Sequence, residues 1–227
     1  MKLFVRRSIL LPSWPLALGV LLALVLALGA FARGVAHFLA QNEPTRAGVL
    51  VVEGWLPRSA LGRIEAEISA GGYDRVIVSG GPIRDRECTQ HETYAERTWD
   101  RLRRANVAPG KLYFVPSPAS AQARTYLDAV MVREWLSARD LAPGNLDVLT
   151  GDVHARRSRD LYQRAFGEGT SVGVIALPPE EFEYARWWRT SSGAKAVSTE
   201  FVGWLYARCC LRPGARGSEQ ALRSDVH

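Results

Sequence analysis

Gly48–Gly54 reads GVLVVEG. Its apolar centre is four residues long, three of them valine, and a glycine closes each end. A run this short and this β-branched is a strand buried on both faces. The signature returns four times, as Arg75–Ser79 (RVIVS), Lys111–Val115 (KLYFV), Leu146–Thr150 (LDVLT) and Ser171–Leu177 (SVGVIAL). Helical spacing fills the intervals. Pro57–Gly71 carries Leu61, Ile64 and Ile68 on one side and stops at Gly71-Gly72. Thr89–Ala105, Ser120–Ala138, Ala155–Phe166 and Lys195–Arg208 repeat the pattern. Apolar strands alternating with such helices predict an α/β fold: a Rossmann-like three-layer domain with a mostly parallel sheet, over residues 48–208.

Upstream lies a different kind of sequence. Ser8 to Ala32 holds no charge, and Pro15–Phe31 is nearly all Leu, Ala, Val and Gly. As a helix it spans roughly 30–37 Å, enough for a bilayer core. Residues 1–33 are therefore expected to be one N-terminal transmembrane helix, crossing an inner membrane through residues 9–31. Lys2, Arg6 and Arg7 precede the run and only Arg33 follows closely. By the positive-inside rule the N-terminus stays in the cytoplasm and residues 34–227 lie outside it. A cleaved signal peptide is the rival reading, since Ala30-Phe31-Ala32 has the A-x-A form, but the apolar run is longer than a usual signal core. Residues 34–47 are expected as a linker and 209–227 as a flexible tail.

The 227 residues carry a formal charge of +6. Residues 1–33 contribute four bases and no acid; residues 208–227 contribute four bases against two acids. The remaining body has 21 of each and is neutral. A nucleic-acid partner is excluded on this distribution, because the excess sits at the chain ends. Cys88, Cys209 and Cys210 make an odd count without C-x-x-C spacing, so no disulfide scaffold is expected.

In an open parallel sheet, ligands bind beyond the carboxyl ends of the strands. Those ends hold Glu53-Gly54-Trp55, Ser79-Gly80-Gly81, Pro116-Ser117-Pro118 and Thr150-Gly151-Asp152-Val153-His154, with Arg84 and Arg86, Thr125, and Arg156 and Arg157 in the segments that follow. Ser79-Gly80-Gly81 suits a backbone cradle for an anionic oxygen. His154 and Arg157 are one helical turn apart, a pairing suited to phosphate or carboxylate. Glu53, Glu92 and Asp152 are the acids nearest this edge. No H-E-x-x-H or similar metal spacing is present, and no cofactor is assigned. G-x-G-x-x-G after a strand, the P-loop and G-x-S-x-G are all missing.

The order of these motifs over residues 48–207 resembles the SanA/ElyC/YdcF-like family of bacterial envelope proteins. The resemblance rests on Val51-Val52-Glu53-Gly54-Trp55, Ser79-Gly80-Gly81, Glu92, Thr125, the run Thr150 to Arg157 with its His-x-x-Arg, and Glu200-Phe201-Val202-Gly203-Trp204. Glu53-Gly54-Trp55 departs from the usual small-residue loop, and Asp128 stands where a Glu-Asn pair is common. The family implies a Rossmann-like fold, often anchored, and a role in envelope or peptidoglycan and lipid-carrier metabolism. On these grounds the expected ligand is small and phosphorylated or nucleotide-like. His154, Arg157, Glu53 and Glu92 are the catalytic candidates. Gly54, Ser79, Gly80, Gly81, Thr125, Thr150 and Asp152 are the ligand-binding ones. The alternative is a non-catalytic binding or scaffold module. In that reading the tryptophan-rich section (Trp187, Trp188, Trp204) docks a partner or the membrane surface instead of packing the last helix.

Overall fold

The computed structural model describes residues 13–83 and 91–211. Lys2, Arg6, Arg7, Arg84, Arg86, Cys88 and residues 212–227 of the expected tail lie outside them. The chain is α/β. Strands β1 (Ala47–Glu53), β2 (Gly72–Gly80), β3 (Leu112–Pro116), β4 (Asn145–Gly151) and β5 (Ser171–Leu177) form one parallel sheet in the order β3-β2-β1-β4-β5. The crossovers are α2 (Leu61–Ala70), α3 (Tyr94–Arg104), α4 (Arg124–Ser137) and α5 (Ala155–Phe166).

Alternation along the strands builds two cores. Val49 and Val51 of β1 face one side with Ile77, Leu146 and Val148, where α4 and α5 add Val130, Leu136, Leu161 and Tyr162. Leu50 and Val52 face the other with Val76, Val78 and Leu149, where α2 and α3 add Ile64, Ile68 and Leu102. Each of these side chains is worth about 1.5–3 kcal/mol when removed from water. The three layers follow from this two-faced burial.

The apolar N-terminal run is a single helix, α1 (Trp14–Leu39), long and apolar enough to cross a membrane. Pro15 falls at its first turn, where a missing N–H costs nothing. The helix does not stop at residue 33. It continues to Leu39, and Val35, Ala36 and Leu39 are buried against Val153 and Val197. Residues 40–46, within the stretch expected as a linker, are fastened to the sheet. Glu43 pairs with Val174 on the edge of β5. The fully buried Asp147 accepts hydrogen bonds from Thr45 N and Oγ1, Arg46 N and the Tyr73 hydroxyl, all at 2.8–2.9 Å. A buried carboxylate with that many donors holds the crossing segment in place. The last helix, α6 (Ser191–Cys209), packs across α1.

Candidate functional site

The chain runs outward from β1 to β2 and β3, then returns to place β4 on the other side of β1. Strand order therefore reverses between β1 and β4, the place where open sheets bind ligands. Glu53 ends β1 there and is 2% exposed. Its Oε2 accepts from Trp55 Nε1 at 2.8 Å and from the Thr150 hydroxyl of β4, and its Oε1 accepts from Ser158 Oγ of α5 at 2.8 Å. The carboxylate thus ties three elements together.

Above it stands His154, in the short turn Asp152–His154 between β4 and α5. Its Nδ1 lies 3.0 Å from Glu200 Oε2, and its Nε2 lies 3.5 Å from Thr125 Oγ1 and 3.8 Å from Glu53 Oε2. Arg157 forks onto Glu200, Nε to Oε2 at 2.9 Å and Nη2 to Oε1 at 3.0 Å. Arg157 Nη2 also lies 2.9 Å from His154 Nδ1. A carboxylate only accepts, so the 3.0 Å contact with Glu200 requires a proton on Nδ1, and in that tautomer the approach of Arg157 Nη2 is a close contact of two donors, not a hydrogen bond. Nε2 is then the acceptor that faces the site. Burial pushes the Glu200 carboxyl up, but the hydrogen bonds and charges of His154 and Arg157 outweigh it and hold it at about 2.

Two cavities meet at this point. The smaller, of about 510 Å³, is lined by Gly80, Gly81, Ser117, Ser120, Arg124, Thr125, Asp128 and Arg157. The larger, of about 890 Å³, is lined mainly by apolar groups such as Leu56, Ala60, Leu177 and Phe182, with Arg63, Asp152 and Lys195 among them. Trp55, His154 and Glu200 line both and form a shared wall. The Trp55 and His154 rings meet edge to face, centroids 5.4 Å apart.

The smaller cavity suits an anion. Helix α4 begins after Ala123, a left-handed residue (φ 51°) that supplies no side-chain cap. Its first-turn N–H groups have no intrahelical partner and lie beside the cavity. Asp128, buried on α4, accepts from Ser117 Oγ. Burial raises its carboxyl to about 7, Glu53 adds to the rise, and the Ser117 hydrogen bond, Arg124 and His154 oppose it. Asp152, on the larger cavity, adopts φ 54°, a strained conformation for aspartate, and its Oδ1 is enclosed without a hydrogen-bond partner. Burial raises its carboxyl to about 6, with Glu200 adding to the rise; Val153 N–H and His154 pull it down.

Of the residues singled out in the sequence, His154, Arg157, Thr125, Gly80 and Gly81 line the smaller cavity. Asp152 lines only the larger. Glu53, Thr150 and Ser79 lie beneath as supports; Ser79 is buried and its Oγ meets the Tyr162 hydroxyl at 3.1 Å. Gly54 is a packing glycine: a Cβ there would lie 2.5 Å from Tyr94 O. Glu92 is not brought to the site. The helix expected from Thr89 starts at Tyr94, because Thr93 caps it and bridges back to Pro82. Glu92 is left exposed before the cap, its N–H bonded to Glu96. Asp128, Ser117, Ser158 and the Glu200 carboxylate were not among the sequence candidates.

No protein-family model and no curated protein matches the chain. Among solved structures it is similar to two of pantothenate synthetase (pantoate-β-alanine ligase) from Thermus thermophilus. Identities are 16% and 18%, each covering 72% of this chain and 68% of the other, with TM-scores of 0.32. It is also similar to a pantoate-β-alanine ligase from Francisella tularensis complexed with β-γ ATP and β-alanine (14% identity, 76% of each chain, TM-score 0.33).

Proposed function

We propose that the smaller cavity binds the phosphate group of a phosphorylated ligand, and that α1 anchors the protein in the bacterial inner membrane with its α/β domain in the periplasm. One observation carries the ligand: Arg124, Arg157, the Gly80-Gly81 backbone and the open end of α4 converge on one cavity beside His154. A lipid-linked cell-wall intermediate is the ligand class that joins this cavity to a membrane anchor and to the resemblance to the SanA/ElyC/YdcF-like proteins.

The same groups suit cleavage of a phosphate ester. His154 Nε2 takes a proton from a water that attacks phosphorus, while Glu200 holds the imidazole by Nδ1. Asp128, still partly protonated near neutrality, gives its proton to the ester oxygen as the P–O bond breaks. Arg157 stays clamped on Glu200 and faces the developing charge.

The test uses the full chain in nanodiscs with inorganic phosphate and farnesyl phosphate as probes. Calorimetry should show both bind, and Arg124→Ala and Arg157→Ala should each weaken binding at least tenfold, about 1.4 kcal/mol. Failure of either probe to bind, or variants that bind normally, rejects the site. Phosphate release from farnesyl phosphate that His154→Ala abolishes assigns turnover; binding without release assigns a binding module. A C-terminal alkaline-phosphatase fusion should be active in cells, and an inactive one reverses the orientation.

A further inference from the structure

Helix α6 carries an apolar stripe that no described part of the protein covers. Val202 is 64% exposed, Leu205 40% and Tyr206 52%. Trp188, just before the helix, is 42% exposed and stands edge-on to Trp187. Exposed Arg186 and Arg189 flank it.

Contacts with α1 show which way this stripe looks. Phe201 meets Phe31, ring centroids 5.2 Å apart, and Trp204 meets Phe38 at 5.0 Å. Phe31 and Phe38 are seven residues apart, so α6 crosses α1 with Phe201 on the side of the apolar run and Trp204 on the far side. At about 100° per residue, Phe201 lies about 60° round α6 from Trp204. Leu205, Val202 and Tyr206 continue in the same sense, about 40°, 100° and 140° beyond Phe201. The stripe therefore faces the apolar run of α1.

Trp14 to Phe31 makes a helix of about 27 Å, close to the thickness of a bilayer core. Phe31 is then at the bilayer boundary, and so is Phe201. Trp187 fixes the level further, its Nε1 donating to Ala32 O at 2.7 Å. We propose that the Val202–Leu205–Tyr206 face of α6, with Trp188, Arg186 and Arg189, lies in the headgroup boundary of the same leaflet into which α1 emerges. The occupant is the lipid surface: the stripe is continuous with the membrane helix, and exposed tryptophan and arginine beside an apolar helix face are the chemistry of that boundary. The inference rests on α1 spanning the bilayer.

Single cysteines test it in the full chain with Cys88, Cys209 and Cys210 replaced by serine. Val202→Cys and Tyr206→Cys are labelled with a nitrobenzoxadiazole dye. The labelled proteins enter phosphatidylethanolamine–phosphatidylglycerol vesicles with plain or brominated acyl chains. Leu22→Cys reports the span, and Glu168→Cys, on the exposed turn after α5, reports water. Labels at 202 and 206 should emit to the blue of the label at 168 and lose intensity in brominated vesicles. Quenching at 22 but not at 202 and 206 overturns the surface and leaves the anchor standing. No quenching at 22 overturns both. Blue emission at 206 without bromine quenching assigns the stripe to a second copy and also overturns the inference.

Discussion

Glu53→Ala should lower unfolding stability by about 3–5 kcal/mol, the cost of removing one partner from a buried charged network. Glu53 is 2% exposed and takes all three of its hydrogen bonds from other residues: the Trp55 indole, the Thr150 hydroxyl and the Ser158 hydroxyl. Alanine leaves the fully buried Thr150 and Ser158 hydroxyls without this acceptor, at about 1–3 kcal/mol for each one left unmade. Glu53→Gln should be much milder, about 1 kcal/mol. Its oxygen can keep Trp55 and Thr150, and its NH₂ can donate to Ser158, whose hydroxyl accepts as readily as it donates. Urea melts followed by tryptophan fluorescence and by circular dichroism check both variants. An alanine variant as stable as the parent would remove Glu53 as the tie between β1, β4 and α5. A glutamine variant as weak as alanine would mean that the negative charge, rather than the hydrogen bonds, holds the site.

Asp128→Asn should stabilise the protein above pH 7 by about 2–4 kcal/mol, the upper figure being the ceiling for moving a carboxyl from 3.8 to about 7. The sign follows from proton counting. Between about pH 4 and pH 7 the folded state still holds the Asp128 proton while the unfolded chain has released it, so stability falls as pH rises. Asp152, raised to about 6, acts in the same sense over a narrower window. Glu200 acts oppositely: its carboxyl is held at about 2, so its contribution is full above about pH 4.5 and is lost as pH falls toward 2. The parent should therefore be most stable near pH 4–5. The asparagine variant should lose most of the decline toward pH 7 and keep the part due to Asp152. Asparagine can still accept from Ser117, which preserves the local geometry. Thermal melts from pH 4 to pH 8 decide it; parallel curves for parent and variant would show that Asp128 ionises without penalty. A stability gain of this size in the asparagine variant would fit the acid role proposed for Asp128.

The strands were legible because burial on both faces leaves no freedom in composition. β5 and α5 fall at their expected bounds, and the other strands differ by a few residues. Helix starts were less so. The expected helices began at Ser120 and Thr89, yet α4 starts at Arg124 and α3 at Tyr94, since the left-handed Ala123 and Thr93 set those boundaries. His154 and Gly80-Gly81 were readable because they sit at the carboxyl ends of β4 and β2, and Arg157 because it follows His154 by one helical turn. Glu200 and Asp128 sit inside helices, where only tertiary placement turns a carboxylate toward a site. Asp128 did carry a signal: it is the one charged residue in the otherwise apolar stretch from Tyr126 to Val130, all of which is buried. The continuation of α1 to Leu39 was hidden for the same reason, because the partners of Val35 and Leu39 lie more than a hundred residues away.

The wall of Trp55, His154 and Glu200 has a thermodynamic consequence. Two chambers that share their partition cannot be filled independently, unless each occupant leaves the partition as it finds it. A guest in the larger chamber that tightens the imidazole or the indole changes the affinity of the smaller one, and linkage makes that change reciprocal by the same factor. The two chambers are therefore coupled to the extent that a guest in one moves Trp55, His154 or Glu200.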